Sequence, residues 1–487
     1  MVYFITYIFR KNGVGPLEKK NFQILIYRYM MARIHYGFYP EKEPFPSIHS
    51  LSKMFRVSTM TIRCAYKMLE EDGYIFTAKN KRPVLVRTPD AAGELPPCLY
   101  TSEQTFQDLY QSLALFLPSI FCYGLFLCDD EDLESLNRIL DCPGNAWDEP
   151  VIRFLSGIVS KLKNPLLDDL YYDVLLYSYP FFLSRMFQDA AEWQAPHELI
   201  CRYFRQILLM RKNGDFIKLQ VLVDKIYQKY QFAFVSRSDN LPAKNFYRWS
   251  KPQICGAIAG KLIYRIFCGI YPPGAFLPSA AAMAEEFPAA VITMRRTIKL
   301  LNNLGMTESI NGRGTKVLSE QESLGKISWQ DPQVQKKILS FLYCLQILAV
   351  TCRKVSEGIL PCLKKSELLD AASRLRIAKE VNRTGLVEVI CLDLLLRSEK
   401  FLSMRDIYEH LLSHLIWGYP FSYLPPVSSP GAYAESLAKS LEAGNNRRFS
   451  EELEKGLHAL FYSSRKKAVS VGIEEAGTLD LPSVPVS

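Results

Sequence analysis

The hydrogen-bond donors with the clearest chemical use in this sequence are Thr59, Thr61, Arg63 and Lys67. Guanidinium and ammonium groups bind phosphate oxygens, and an arginine can also pair with the edge of a guanine through two hydrogen bonds. A hydroxyl group can donate to a phosphate or to a base. Donors of these kinds within one short stretch are typical of a surface that binds DNA.

Two short helices separated by a break are predicted to position these donors. Leu51 and Phe55 recur at helical spacing, and a second apolar stripe, which ends at Gly73, contains Ile62, Ala65, Tyr66 and Leu69. Ser58 is expected to cap the second helix, because its hydroxyl can accept a hydrogen bond from an amide of the first turn. The pattern predicts a helix-turn-helix whose second helix buries one face and presents the other to DNA.

A two-stranded basic wing is predicted after this helix. Residues 74–77 and 79–86 read as two short strands, and Lys81 and Arg82 lie near their connection. A second series with the same spacing follows 232 residues later, where Gly269 repeats Gly37. The offset continues without a gap through Pro278-Ser279, Phe287, Thr293, Arg295, Lys299, Leu301 and Gly305. Such a repeat predicts two copies of one structural unit.

Both copies resemble the winged helix-turn-helix domain of the GntR family of bacterial transcription regulators. The resemblance covers residues 20–87 and 252–318, and it depends on the Gly-x-Tyr-Pro turn, Pro-Ser, Thr-x-Arg, Leu-x-x-x-Gly and, in the second copy, Gly-Arg-Gly-Thr. It implies the following DNA-binding residues: His49, Ser58, Thr59, Thr61, Arg63, Lys67, Lys81, Arg82, Thr293, Arg295, Arg296, Lys299, Arg313 and Thr315.

Each copy departs from the family pattern. Where the family has an Arg after the residue that opens the recognition helix, this chain has Thr59 and Val291, and a second family Arg is replaced by His49 and Ala281. The first copy lacks the wing glycines, and the second has Ala290 at the helix cap. The alternative for each copy is a winged helix that serves only packing or dimer contact.

The distribution of charge favours DNA as the partner. The whole chain carries +9, residues 17–90 carry +6 and residues 245–320 carry +5, so the remainder is slightly acidic. Twelve cysteines lie singly without a C-x-x-C pair, and the first residues lack the charge order of a secretory signal. These features predict a cytoplasmic protein with reduced cysteines.

The fold class predicted is mainly α, with two winged helix-turn-helix domains (three helices plus a small β-wing) alternating with two all-helical domains. The predicted boundaries are 1–90 and 245–320 for the DNA-binding domains, 98–236 and 328–468 for the helical domains, and 469–487 for a flexible tail. The apolar run 112–128 contains Pro118 and Gly124, and a core helix is favoured over a membrane span.

The first helical region is similar to the effector domain of FadR-type members of the family. That resemblance implies a metal site, but Val151, Leu155 and Phe204 occupy the positions of the Asp and two of the His ligands. No metal or cofactor is therefore expected, and the residues that would bind an effector are unknown. His410 and His414 are expected to be a surface or interface pair and not metal ligands.

No nucleophile–base pattern or phosphate-binding Gly loop is present, so the chain is not expected to be an enzyme. We expect a sequence-specific transcriptional regulator of GntR type in which one chain supplies two half-site readers, modulated by a small-molecule effector in the helical domains. Its partner would be double-stranded DNA, without a membrane, as a monomeric pseudo-dimer or a homodimer. The alternatives are a ligand-independent architectural DNA binder and a protein-interaction scaffold with degenerate DNA-binding domains.

Overall fold

The computed structural model is mainly helical, as the sequence predicts. It describes residues 22–39, 45–78, 82–86, 103–141, 148–188, 196–233, 247, 249, 254–267, 269–380, 387–423 and 431–481. The chain divides into two compact units. The first contains residues 18–114 and 120–250, and the second contains residues 115–119 and 251–483. The finer division into four domains stays a prediction.

The first unit begins with three helices and a two-stranded hairpin and continues with further helices. Its elements are α1 Phe22–His35, α2 Ile48–Phe55, α3 Thr59–Glu71, β1 Ile75–Phe76, β2 Val84–Leu85, α4 Glu103–Phe126, α5 Asp130–Leu140, α6 Asp148–Ser160, α7 Pro165–Gln188, α8 Pro196–Lys212 and α9 Phe216–Ala233. The hairpin is antiparallel, with Ile75 opposite Leu85. The hairpin confirms the wing predicted from the sequence.

The core of α1 to α3 follows from the apolar spacing of the sequence. All six residues of the two predicted stripes are buried, namely Leu51, Phe55, Ile62, Ala65, Tyr66 and Leu69. Gly73 has φ +77, a backbone conformation that stops a helix at little cost only when the residue is glycine. Periodicity therefore predicts which face of α3 is buried, and Gly73 predicts where α3 ends.

The second unit begins with a similar order of elements, with an additional short strand after its first helix, and then continues with further helices. Its elements are α10 Ile254–Phe267, β3 Phe276–Leu277, α11 Ala280–Glu286, α12 Val291–Asn303, β4 Thr307–Ile310, β5 Gly314–Val317, α13 Glu320–Leu324, α14 Pro332–Ile359, α15 Lys365–Glu380, α16 Val387–Leu396, α17 Leu402–Leu415, α18 Gly431–Glu442 and α19 Asn446–Ser470. Three short helices of the 3-10 type follow α14, α17 and α19, at Leu360–Cys362, Ile416–Tyr423 and Glu474–Thr478. The strands form one antiparallel sheet in the order β3, β5, β4.

Helix α14 is the core helix of the second unit. It packs chiefly against α19, and residues such as Leu342, Leu345 and Leu348 are fully buried. Two helices are long and apolar enough to cross a membrane, Gln104–Phe126 and Pro332–Cys362, but more than half of each apolar window is buried within the protein. Burial of this kind is expected of core helices and not of helices that face lipid.

The flexible tail predicted from residue 469 is wrong for residues 469–481. Helix α19 continues to Ser470, and Ile473, Ala476, Leu479 and Leu481 are buried. Two polar groups of α14 hold this segment, because the Tyr343 hydroxyl donates to Glu475 at 2.6 Å and the Gln346 side chain donates to the Asp480 carbonyl at 2.8 Å. These partners come from a helix more than a hundred residues earlier, so local composition did not indicate them.

Candidate nucleic-acid interface

The exposed face of α3 carries the donors predicted from the sequence. Thr59, Arg63 and Lys67 are exposed and lie four residues apart, which places them on one face of the helix. Lys67 lies 3.4 Å from Glu71, and both side chains are largely exposed, so this pair is weak. Among the described residues, none forms an ion pair with Arg63. The guanidinium group is therefore available to a ligand.

The first turn of α3 is capped as predicted. The Ser58 hydroxyl accepts a hydrogen bond from the Thr61 amide at 3.1 Å, and the two side-chain oxygens lie 2.9 Å apart. Thr61 is half-buried at the start of its own helix, whereas Thr59 is exposed to solvent. Ser58 thus has a structural role in addition to its predicted contact with DNA.

The remaining candidates of the first unit lie around α3. His49 on α2 and Arg82 before β2 are both exposed, whereas Lys81 lies outside the described residues. Glu70 accepts a hydrogen bond from the Thr77 amide at 3.0 Å, which joins the end of α3 to the hairpin. The described candidates His49, Arg63, Lys67 and Arg82 therefore belong to one small folded segment.

Sequence reasoning missed the role of Arg56, which lies in the turn between α2 and α3. Arg56 has φ +51, a left-handed conformation that is uncommon outside glycine, and its guanidinium group forms an ion pair with Asp168 on α7. Burial raises the pKa of the Asp168 carboxyl, although Arg56 counteracts this shift. This contact ties the turn of the helix-turn-helix to the helical part of the unit.

A second missed contact lies deeper, at the end of α1. Arg33 forms an ion pair with Asp148 at the start of α6, and both residues are buried. The Tyr179 hydroxyl of α7 bonds to Asp148 and lies 3.0 Å from Arg33, while Phe38 covers the guanidinium group with its ring centroid 4.5 Å away. One sequence signal existed, because Arg33 interrupts an otherwise apolar stretch of α1. Its partner could not be identified from sequence spacing.

The segment α10 to β5 of the second unit presents a similar exposed face. Arg295, Arg296 and Lys299 on α12 are exposed, and Thr293 is half-buried. No side chain caps α12, because its cap position is Ala290, which confirms the absence of a hydroxyl cap read from the sequence. Arg295 and Lys299 have the same spacing as Arg63 and Lys67 on α3, whereas Arg296 corresponds to Cys64.

Two candidate DNA-binding residues lie on the hairpin of the second unit, and they differ in exposure. Arg313 is exposed at the tip, where its amide donates to the Ile310 carbonyl at 3.1 Å, and its guanidinium group lies over the ring of Phe276. Thr315 is only 7% exposed, and its hydroxyl lies 3.3 Å from that of Ser309. Thr315 therefore stabilises the hairpin from its buried side, in contrast to Arg313.

The arginine equivalent to Arg33 has a different partner in the second unit. Arg265, at the same repeat position, pairs with Glu286 at the end of α11 at 2.5 Å, and both side chains are partly exposed. Tyr271 lies 3.4 Å from Arg265, and Phe287 lies under its guanidinium group. Arg265 therefore stays within its own three-helix segment, whereas Arg33 reaches α6.

The positions that would hold a metal in FadR-type proteins are apolar here. Phe204 stacks on Phe154 with ring centroids 4.2 Å apart. Over the described residues, no group of three or more His, Cys, Asp or Glu side chains could hold a metal ion. His410 and His414 are partly buried on α17, and His414 bonds to Ser340 on α14. Of the expected surface or interface positions, the structure places His414 at the packed contact between α17 and α14 and not on an open surface.

Comparisons with known proteins identify the first three-helix segment. Residues 25–86 match the family described as "Bacterial regulatory proteins, gntR family". Over 115 residues, the chain is 29% identical to "Uncharacterized HTH-type transcriptional regulator YhcF" of Bacillus subtilis (strain 168), which corresponds to 24% of this chain and 93% of that protein.

Two solved structures illustrate the structural comparison. One is described as "Lar controls the expression of the Listeria monocytogenes agr system and mediates virulence", with 15% identity, a TM-score of 0.25, and coverage of 46% of this chain and all of that chain. The other is "Streptococcus agalactiae GntR", with 14% identity, a TM-score of 0.20, and coverage of 43% of this chain and all of that chain. Scores this low do not establish a shared fold. The family match does assign a GntR-type helix-turn-helix domain to residues 25–86, and the matched family and relative are transcriptional regulators, not enzymes.

Proposed function

We propose that this chain is a cytoplasmic, sequence-specific transcriptional regulator of GntR type that reads two DNA half-sites with two winged helix-turn-helix domains. The observation that carries the proposal is the pair of exposed cationic faces on α3 and α12, which share one register. Arg63 and Arg295 occupy the same position of the repeat, as do Lys67 and Lys299. All four side chains are exposed.

The side chains on these faces suit two kinds of DNA contact, one to base edges and one to phosphates. Arg63 and Arg295 lie in the N-terminal half of each helix, the part of a recognition helix that contacts base edges. A two-pronged Arg–guanine contact is worth about 1–3 kcal/mol of discrimination between bases. Lys67, Lys299 and the hairpin cations Arg82 and Arg313 would contact phosphates and add affinity without sequence preference.

Duplication within one chain changes the expected symmetry of the DNA site. GntR regulators use one DNA-binding domain from each subunit, so a dimer reads two equal half-sites. Here the two domains differ, for example at Thr59 and Val291. A single chain acting as a pseudo-dimer would therefore read an asymmetric site, whereas a homodimer would carry four domains.

The helical parts of each unit would bind a small-molecule effector and shift the population of DNA-binding conformations. In the first unit, an open cleft of about 490 Å³ lies between α5 and α8. It is lined by apolar side chains and by charges of both signs, among them Asp130, Arg138, Arg205 and Leu208. A screen for metabolites that raise the melting temperature and change DNA affinity would test this part of the proposal.

The DNA-binding part is tested with the full chain and the duplexes it enriches from a random pool. Arg63→Ala and Arg295→Ala should each weaken binding to the enriched duplexes, and Arg202→Ala, an exposed arginine on α8, serves as the matched control. Unchanged affinity in both recognition-helix variants would favour a protein-interaction scaffold. An equal loss on enriched and random duplexes would favour an architectural DNA binder.

A further inference from the structure

Both recognition helices expose a large apolar side chain at the same position. Met60 is 66% exposed on α3, and Ile292 is 57% exposed on α12. The two residues are 232 positions apart, so they are equivalent in the repeat. A single exposed apolar side chain needs no explanation, but two at one register of a duplicated surface indicate a shared use.

The surroundings of these side chains define what they could contact. Met60 directly follows Thr59 and lies three residues before Arg63, in the first turn of α3. Ile292 has the same relation to Arg295 in the first turn of α12. The first turn of a recognition helix is the part that approaches base edges in the major groove. An apolar group placed there would lie beside the base edges that the neighbouring guanidinium group contacts.

The major groove offers one apolar group to such a side chain, the C5-methyl group of thymine. We propose that Met60 and Ile292 each read a thymine through contact with this methyl group. The proposal rests on the proposed function, because it requires α3 and α12 to enter the major groove. It adds a specificity-determining residue to each domain and assigns an A·T pair beside the base pair contacted by Arg63 or Arg295.

The two half-sites should differ in their thymine content. The residue before Ile292 is Val291, which is 39% exposed, whereas the residue before Met60 is the polar Thr59. The first turn of α12 thus presents two apolar side chains and that of α3 presents one. The half-site read by α12 should therefore contain more thymines that matter for affinity.

The test replaces each thymine of an enriched duplex by uracil, one at a time, which removes only the methyl group. With the full wild-type chain, one replacement in the half-site read by α3, and more than one in the half-site read by α12, should each weaken binding about fourfold, the cost of leaving one methyl group unburied. Met60→Ala should abolish the effect of uracil in the half-site read by α3, and Ile292→Ala should abolish the effect of one uracil replacement in the half-site read by α12. Alanine is the residue most compatible with a helix, so both variants should stay folded, which circular dichroism will check.

Two controls match the exposure of the tested side chains. Ile217 on α9 is 65% exposed and Ile377 on α15 is 53% exposed, and replacing either by Ala should leave the uracil effect intact. The inference is wrong if no uracil replacement changes affinity, or if the effect persists in the Met60 and Ile292 variants. It is equally wrong if these variants change only the oligomeric state in sedimentation.

The two failures can be told apart. Loss of affinity in Arg63→Ala and Arg295→Ala, together with insensitivity to uracil, would leave the proposed function in place and reject the thymine contacts alone. Unchanged affinity in the arginine variants would reject both.

Discussion

Arg33 and Asp148 form a buried ion pair that joins the first helix of the GntR-type domain to the helical part of the same unit. Tyr179 completes the contact, with its hydroxyl bonded to Asp148 and 3.0 Å from Arg33. A buried charge that loses its partner is costly, so this pair fixes α1 against α6 and α7. The equivalent Arg265 makes no such link, because it pairs with Glu286 inside its own three-helix segment.

Arg33→Ala and Asp148→Asn should each destabilise the first unit by about 3–5 kcal/mol, because each change leaves an unpaired buried partner. The matched variant Arg265→Ala breaks a partly exposed pair and should cost at most about 1 kcal/mol. Chemical denaturation of the full chain measures both. Similar losses for Arg33→Ala and Arg265→Ala would contradict the structural role given to the buried pair.

Helices α3 and α12 allow a reciprocal test of capping. Ser58→Ala removes the hydroxyl that accepts from the Thr61 amide, and it should cost the first unit about 1 kcal/mol. Ala290→Ser supplies a hydroxyl at the uncapped end of α12 and should stabilise the second unit by about 0.5 kcal/mol. Unfolding curves of the two variants check these shifts. Changes of the same sign would show that the caps do not act as described.

The histidines of α17 predict a dependence of stability on pH. Burial lowers the pKa of His410 to about 3 and that of His414 to about 4, and the neighbours His414 and Lys337, respectively, lower each pKa further. An unfolded histidine has a pKa of about 6.5, so each group contributes stability above that pH and loses it as the pH falls towards 4. The loss is at most about 1.4 kcal/mol per pH unit for each histidine.

The double variant His410→Gln with His414→Gln should therefore lose less stability than the wild type between pH 7 and pH 4.5. Glu388, whose pKa burial raises to about 7, has the opposite dependence, but it is present in both proteins and cancels in the comparison. Denaturant midpoints at several pH values give the two curves. Parallel curves would contradict the assignment of neutral histidines.

Salt dependence distinguishes phosphate contacts from base contacts. Arg82→Ala and Arg313→Ala should each reduce the slope of log K against log salt by about one unit while leaving the preferred sequence unchanged. Arg202→Ala on α8 should leave the slope as it is. Anisotropy titrations from low to moderate salt measure these slopes. Slopes equal to that of the wild type would place both arginines away from the DNA backbone.

The sequence predicted the parts of the fold that depend on local pattern. Ile62 and Leu69 are buried at the spacing expected of α3, and Gly73 ends the helix, because helical periodicity and backbone freedom are properties of neighbouring residues. The Gly-Arg-Gly-Thr motif of the second copy lies at the turn between β4 and β5, with Arg313 at the tip.

The parts that the sequence did not predict depend on distant partners. Arg33 and Asp148 are 115 residues apart, and nothing in the spacing of either residue identifies the other. The composition of residues 469–481 predicts a flexible segment, but hydrogen bonds from Tyr343 and Gln346 of α14 hold it in place. The sequence pattern places Met60 in neither the core nor the DNA interface, because its exposure depends on how α3 is oriented in the folded unit.

The central claim is that one chain carries two separate DNA readers, and selection from a random duplex pool tests it most directly. The wild-type chain should select two different half-sites, Arg63→Ala should lose the preferred bases in one of them, and Arg295→Ala should lose those in the other. Selection of a single half-site, or of the wild-type sequence by both variants, would contradict the claim.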